Sequence, residues 1–160
     1  MIAIIKLSNT MRVILSALLL LLLHQSKAQK TEIYAPKGIA LNSYDVVEFF
    51  NEKTVKGSDS IFLNWKGVKW LFSTQQNRDL FAAHPQNYEP QYGGWCAYGT
   101  SRGYKAPTQS DTWTIINNKL YFNYNLKVKE LWDANRAAFI DSADAKWPTV
   151  KRNEYLIKTN

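Results

Sequence analysis

The sequence predicts an α+β fold in which two β-hairpins form a small antiparallel sheet with several short helices packed on it. The apolar runs "IFLNW" and "VKWLF" flank Lys66-Gly67, and "WTII" and "LYFNY" flank Asn117-Asn118. Gly and Asn tolerate the positive φ of tight hairpin turns. The segments around the hairpins carry helix caps and apolar positions at helical spacing, which completes the α+β pattern.

Capping residues predict the first two helices. Asn42 or Ser43 can cap a short helix within residues 42–53, whose valines and phenylalanines supply an apolar side. Ser73 with Gln76 matches a capping box for a second helix over 74–84, which Pro85 would end.

The second half of the chain predicts a loop followed by two helices. Residues 85–111 are rich in Gly, Pro and Tyr and favour an irregular loop with short extended pieces. Asn125 can cap a helix over 126–140. The segment "DSADAKWP" favours another short helix that ends at Pro148.

The N-terminus has the pattern of a secretory signal peptide. Lys6 and Arg12 precede the apolar run "VILSALLLLLL", and Ser26-Lys27-Ala28 fits the small-residue cleavage rule. The apolar run is about half the roughly 20 residues that a spanning helix needs. We therefore expect residues 1–28 to be removed, leaving an exported chain without a stable membrane span.

The predicted mature chain has one domain and a modest positive charge. We divide it into an N-terminal arm (29–37), a domain (38–150) and a C-terminal tail (151–160). Loss of the three basic residues of the signal peptide lowers the net charge from +7 to +4. That charge is scattered, whereas nucleic-acid binding needs a clustered basic face, so nucleic acid is not an expected partner. A single cysteine cannot form an internal disulfide, so the fold depends on packing of its many aromatic residues.

The motifs of residues 38–148 resemble the exported YHS-domain proteins of bacteria. The most specific parts are "FSTQQNRDLFAAHPQNY" and "YGGWCAY". The resemblance implies a binding module related to treble-clef-like metal-binding domains, with a role in copper-type transition-metal handling. In those relatives two cysteines of an F-C-S-x-x-C-x-x-x-F pattern bind soft ions. Alignment on Phe72 and Phe81 puts Ser73 and Asn77 at those positions, so the usual thiolate pair is missing here.

Cys96, in "QYGGWCAYGTSRG", is the principal candidate metal ligand, for a copper or zinc ion. His84 is a possible second ligand, and Asp45 could turn inward as a third group. Each residue also has a purely structural interpretation. A lone cysteine commonly packs as a small hydrophobe, His84 suits a helix end, and Asp45 suits a first helical turn.

The same loop is the predicted ligand pocket. Gly93-Gly94 would give the backbone room for a ligand to approach. The aromatic residues nearby could form the walls; the predicted pocket residues are Tyr44, Tyr92, Gly93, Gly94, Trp95 and Tyr98. The alternative to metal handling is therefore a module that binds a small molecule or a protein partner, with Cys96 structural. A thiol-dependent enzyme using Cys96 and His84 is the third hypothesis.

Overall fold

The α+β class is confirmed. The computed structural model describes Glu32–Asn153; the predicted signal peptide and parts of the arm and tail lie outside these residues. The strands are β1 (Ser58–Trp65), β2 (Val68–Phe72), β3 (Thr114–Ile116) and β4 (Lys119–Tyr121). The helices are α1 (Val46–Phe50), α2 (Gln75–Ala83), α3 (Pro85–Tyr88), α4 (Ala97–Ser101), α5 (Leu126–Asp133) and α6 (Arg136–Val150).

Both predicted hairpins are present, and each closes through a two-residue turn. Lys66 and Gly67 have φ of 48° and 76°, and Asn117 and Asn118 have φ of 50° and 58°. Positive φ at both central residues matches the right-handed twist of the paired strands.

The prediction that the two hairpins form one sheet is wrong. The hairpins form two separate two-stranded antiparallel sheets, β1-β2 and β3-β4. Instead, an irregular segment forms an isolated β-bridge with each hairpin or with the residue directly after it. Ile39 makes a parallel bridge to Lys69 in β2, and Cys96 makes one to Phe122 just after β4.

Side chains rather than strand pairing connect the two hairpins. The ring of Phe49 in α1 lies edge-on to that of Phe122, with 5.1 Å between centroids. The larger core contains residues from the arm, α1, both hairpins and α2: Ile33, Ala40, Leu41, Val46, Val47, Phe49, Val68, Trp70, Phe72, Phe81, Leu120 and Phe122. A smaller core lies between β4, α4, α5 and α6: Tyr92, Ala97, Tyr121, Trp132 and Ala143.

The caps of the first two helices differ from the predicted ones. Asp45, not Asn42 or Ser43, caps α1 by accepting a 3.0 Å bond from the Val47 amide. Both predicted caps have φ above 50°, so the chain is still turning there.

Thr74, rather than Ser73, caps α2, because the Ser73 hydroxyl donates to Asp45 instead. The Thr74 hydroxyl accepts a 3.1 Å bond from the Asn77 amide. The predicted Asn125 cap of α5 is confirmed, with 2.9 Å from its Oδ1 to the Val128 amide nitrogen.

Residues 85–111 contain more helix than predicted. α2 does end before Pro85, but Pro85 begins α3, where its missing N–H would have had no helical partner in any case. α4 follows a tight turn over Gln91–Gly94.

The predicted helix over 126–140 is broken after Asp133. The next helix, α6, runs without interruption through the segment in which a separate short helix was predicted. Pro148 lies in the last turn of α6, where loss of one hydrogen bond is tolerated and the helix ends two residues later. Between Glu32 and Asn153, no helix has the length and apolar character that a membrane crossing requires.

Candidate functional site

The Gly93-Gly94 pair lets the N-terminal arm approach the chain closely. Tyr92, Gly93 and Gly94 all have positive φ. A Cβ atom on Gly93 would lie 2.1 Å from the backbone oxygen of Glu32. The Tyr34 amide donates a 2.8 Å bond to the Gly93 carbonyl. The arm therefore occupies the side of Gly93 on which a side chain would lie.

Cys96 is almost fully buried and caps α4. Cys96 is only 1% exposed, and its Sγ accepts a 3.3 Å hydrogen bond from the Gly99 amide. The thiol donates weakly to Asn123 Oδ1, at 3.7 Å. Burial raises the pKa of the Cys96 thiol, against a smaller opposing effect of nearby backbone amides. The thiol is therefore protonated near neutral pH and is a weak nucleophile.

An apolar cleft opens to the surface beside Cys96. Its volume is about 260 Å³. Three short stretches of chain line it: Cys96, Tyr98, Tyr104, Ala106, Tyr124 and Val128. Tyr104 and Tyr124 are 50% and 48% exposed, so their rings form the rim, while Cys96 lies at the buried wall. We call this space the Cys96 cleft.

Asn123 supports the buried wall of the Cys96 cleft. Its Oδ1 accepts a 3.2 Å bond from the Tyr98 amide as well as the Cys96 contact. Its backbone N–H and carbonyl both bond to the Thr112 hydroxyl, at 2.9 and 2.7 Å. Asn123 Nδ2 is buried and has no hydrogen-bond partner among the described residues. A buried amide donor without a partner is uncommon.

His84 and Cys96 lie in different surroundings. His84 is exposed at the C-terminal end of α2, where its backbone N–H bonds to the Leu80 carbonyl. Cys96 is buried against Asn123 and the start of α4. Among the described residues, the hydrogen-bonding contacts of the sulfur are with the Asn123 amide oxygen and the Gly99 amide, and neither is a soft metal ligand.

Asp45 is directed at β2 and α2, not at the Tyr92–Cys96 loop. Its Oδ2 accepts bonds from the Ser73 amide and hydroxyl, both at 2.7 Å, and from Asn77 Nδ2 at 2.8 Å. Asn77 Nδ2 also donates to Glu48 at 2.6 Å. A fully buried carboxylate is thus satisfied by several donors, as burial of a charge requires.

The two positions that the sequence resemblance would align with a cysteine pair belong to this hydrogen-bonded network. Ser73 and Asn77 hold the Asp45 carboxylate, and neither provides a thiolate. Within the part of the chain that the structure describes, no group of three or more His, Cys, Asp or Glu could hold a metal ion. The residues present do not fit a soft-metal centre.

The predicted pocket residues are divided between different places. Tyr98 lines the Cys96 cleft. Trp95 is buried against Tyr34, with its Nε1 donating to the Glu32 carbonyl. Tyr44 lies under the Lys56 ammonium, 3.8 Å from ring centroid to Nζ. Gly94 packs against Leu41 and accepts a bond from the Thr108 hydroxyl.

Tyr92 and Gly93 line a second, more polar cavity of about 170 Å³, which we call the Tyr92 cavity. Its other lining residues are Glu32, Glu89, Pro90, Gln91, Asp144, Trp147 and Pro148. The Tyr92 hydroxyl donates a 2.8 Å bond to Asp144, and burial together with that carboxylate raises the pKa of Tyr92. Glu32 and Glu89 both pair with Lys66.

Sequence reasoning missed Tyr104, Ala106, Val128 and Asn123. Val128 was recognised only as part of the apolar face of a helix. In an extended segment, Tyr104 and Ala106 would lie on the same face, with Lys105 on the opposite one. A single alternation of this kind is too short to predict a pocket wall.

Comparison of the chain with family models, with curated proteins and with solved structures gave no match in any of the three.

Proposed function

We propose that this protein is an exported, single-domain binding protein of the YHS type whose Cys96 cleft takes a small apolar molecule. The observation that carries the proposal is the cleft itself: an apolar space, open at the surface, with three tyrosine rings around it. Small-molecule sites are typically concave and largely apolar, with a few polar groups at defined positions.

The volume of the cleft indicates the size of the ligand. An engineered apolar cavity of about 150 Å³ accommodates benzene. A space of about 260 Å³ therefore suits a molecule larger than one bare ring, such as a two-ring compound. Tyrosine rings favour edge-to-face or offset contacts with another ring, each worth roughly 0.5–1.5 kcal/mol beyond area burial.

The state of the thiol favours binding over catalysis. A nucleophilic cysteine is normally exposed and has a lowered pKa, whereas the pKa of Cys96 is raised by burial. The group that accepts from its thiol is the Asn123 amide oxygen, which is not a base. Cys96 then contributes a polarizable apolar surface to the cleft wall.

The export part of the proposal rests on the signal-peptide pattern of residues 1–28, and the YHS part on the motifs around Phe72 and Cys96. An exported binding module of this kind would meet its ligand outside the cytoplasm. The copper-type role implied by the resemblance has less support, since the Asp45 network occupies the position of the thiolate pair.

Titration with naphthalene, followed by ¹H–¹⁵N NMR of the purified protein, tests the proposal. We expect saturable shifts of amides around Cys96, Tyr104 and Tyr124. Val128→Trp should fill the cleft and weaken binding at least tenfold. Leu131→Trp is the matched control, because Leu131 lies on the same helix, is 51% exposed and does not line the cleft.

Three results would overturn the proposal. The first is the absence of saturable shifts, and the second is equal binding by the two tryptophan variants. The third is stoichiometric copper in untagged protein after Cu(I) loading, lost in Cys96→Ala, which would support metal handling instead.

A further inference from the structure

Exposed apolar side chains continue outward from the mouth of the Cys96 cleft. Tyr104 and Tyr124 form its rim and are half exposed. Val128 lines the cleft from α5, and Leu131, three residues later on the same side of that helix, is 51% exposed. Large apolar side chains that lie together at the surface commonly mark an interaction site. We call Tyr104, Tyr124, Val128 and Leu131 the rim surface.

Two cations without a carboxylate partner lie beside the rim surface. Lys127 is exposed, adjoins Val128 and lies one helical turn before Leu131. Arg102 is exposed, and its Nη2 donates a 3.1 Å bond to the hydroxyl of Tyr98, which lines the cleft. Among the described residues, neither cation forms an ion pair with a carboxylate. Both are therefore available to an anionic partner.

The acidic residues of α5 are paired or turned away from the rim surface. Asp133 pairs with Lys129 and Arg136. Glu130 follows Val128 by two residues, and two steps along a helix rotate a side chain by about 200°, to the opposite side. The charge beside the rim surface is therefore positive.

We propose that the rim surface docks on an anionic lipid bilayer. The tyrosine rings lie at the interface, Leu131 enters the acyl boundary, and Arg102 and Lys127 face the lipid phosphates. Tyrosine suits this depth because its ring is apolar and its hydroxyl can stay wet. The aliphatic part of a lysine can likewise cover apolar surface while its ammonium stays in water. A bilayer also dissolves apolar molecules, so docking would bring the open cleft to its ligand, a step that rests on the proposed function.

Cosedimentation with sucrose-loaded vesicles tests the docking. The purified exported protein is added, without any cleft ligand, to vesicles of phosphatidylcholine alone or of phosphatidylcholine and phosphatidylglycerol in equal parts. We expect at least about tenfold tighter binding to the anionic vesicles, since each cation near such a surface favours binding about fivefold. Raising the salt concentration should remove most of that preference. Equal binding to the two kinds of vesicle would overturn the proposal.

Two matched pairs of variants locate the contact. Lys127→Gln should weaken binding to the anionic vesicles about fivefold. Lys53→Gln removes an exposed lysine between α1 and β1, away from the cleft lining, and should change binding less than about twofold. Leu131→Ser should weaken binding about tenfold, whereas Leu80→Ser, on α2 and 39% exposed, should have little effect. Equal effects within either pair would contradict docking through the rim surface.

NMR with a spin-labelled lipid tests the orientation even if a variant does not fold. With the unsubstituted protein on anionic bicelles, a nitroxide on the lipid headgroup should broaden the amides of residues 102–104 and 124–131 most. Strongest broadening around the β1-β2 turn or the Tyr92 cavity would overturn the proposal.

The results distinguish the docking from the proposed function. Naphthalene binding in vesicle-free buffer, with no binding to vesicles, would leave the cleft as a ligand site and rule out the docking. Vesicle binding without naphthalene binding would support the docking and overturn the proposed function. A dimer that Leu131→Ser dissociates, with no vesicle binding, would assign the rim surface to a second copy of the chain and overturn the docking.

Discussion

Asn77 Nδ2 donates a 2.8 Å hydrogen bond to the buried Asp45 carboxylate, which joins the first turn of α2 to the cap of α1. Ser73 and Asn77 are the positions that the YHS resemblance, a hypothesis from the sequence, would align with a cysteine pair. In this chain the Asp45 carboxylate accepts hydrogen bonds from both. A charge-assisted network thus holds α1 and α2 together.

Removing the Asp45 carboxylate should strongly destabilise the fold. Asp45→Ala leaves the Ser73 and Asn77 donors without their buried acceptor, and we expect a loss of about 3 kcal/mol in the free energy of unfolding. Asp59→Ala is the control, since the Asp59 side chain is 82% exposed and its pair with Lys69 should contribute less than about 1 kcal/mol. Urea unfolding of both variants measures the difference, and similar losses would contradict the role of the network.

The close approach of the arm at Gly93 predicts a steric penalty. Gly93→Ala puts a Cβ against the Glu32 carbonyl at a positive φ, and we expect a loss of about 3 kcal/mol or more. Gly38→Ala shares the positive φ but has open space around it, so it should cost about 1 kcal/mol. Thermal unfolding of the two variants compares them. Equal unfolding midpoints would mean that Gly93 is needed only for its positive φ, and that the Glu32 carbonyl adds no steric penalty.

The buried thiol predicts a stability change in alkaline solution. The pKa of Cys96 is raised in the folded state, so as pH rises the unfolded thiol ionises first and the unfolded state gains stability. The contribution is fully present below the ordinary thiol pKa of about 8.5 and is lost as pH rises towards the raised folded value.

Cys96→Ala provides the reference for this effect, because other groups also titrate in alkaline solution. Between about pH 8 and pH 10, the free energy of unfolding of the unsubstituted protein should fall faster than that of Cys96→Ala, by up to about 1.4 kcal/mol per pH unit. Parallel pH curves for the two proteins would be inconsistent with a buried, protonated thiol.

Tyr104 at the rim should contribute to ligand affinity without supporting the fold. Tyr104→Ala removes a half-exposed ring from the Cys96 cleft, and we expect naphthalene to bind about fivefold to tenfold more weakly. Phe62→Ala removes an aromatic ring that is 44% exposed on β1 and does not line the cleft, so binding should be unchanged. An equal effect of both variants would indicate nonspecific adsorption to exposed rings.

Local signals predicted the hairpins and one helix cap well. Each hairpin turn consists of two adjacent residues, Lys66-Gly67 and Asn117-Asn118, so its signal is local. The capping bond of Asn125 is also local, because its donor, the Val128 amide, is only three residues later. The single sheet was not predictable in this way, because strand order depends on contacts such as that between Cys96 and Phe122, which are distant in sequence.

Ser73 illustrates why some local predictions failed. Ser73 and Gln76 match the capping-box pattern, but the Ser73 hydroxyl donates to the buried Asp45 carboxylate, 28 residues away in sequence. Thr74 therefore caps the helix instead. The cleft likewise joins residues near 96, 104 and 124. Of the six lining residues, only Cys96 and Tyr98 were among the predicted site residues, because the lining of the cleft is fixed by tertiary packing.

The most direct test of the central claim is a crystal structure of the protein with 2-bromonaphthalene, in which the bromine is located by its anomalous signal. We predict one dominant bromine peak inside the Cys96 cleft, bounded by Tyr98, Tyr104 and Tyr124. A dominant peak in the Tyr92 cavity, or none in the Cys96 cleft at saturating ligand, would contradict the proposed function.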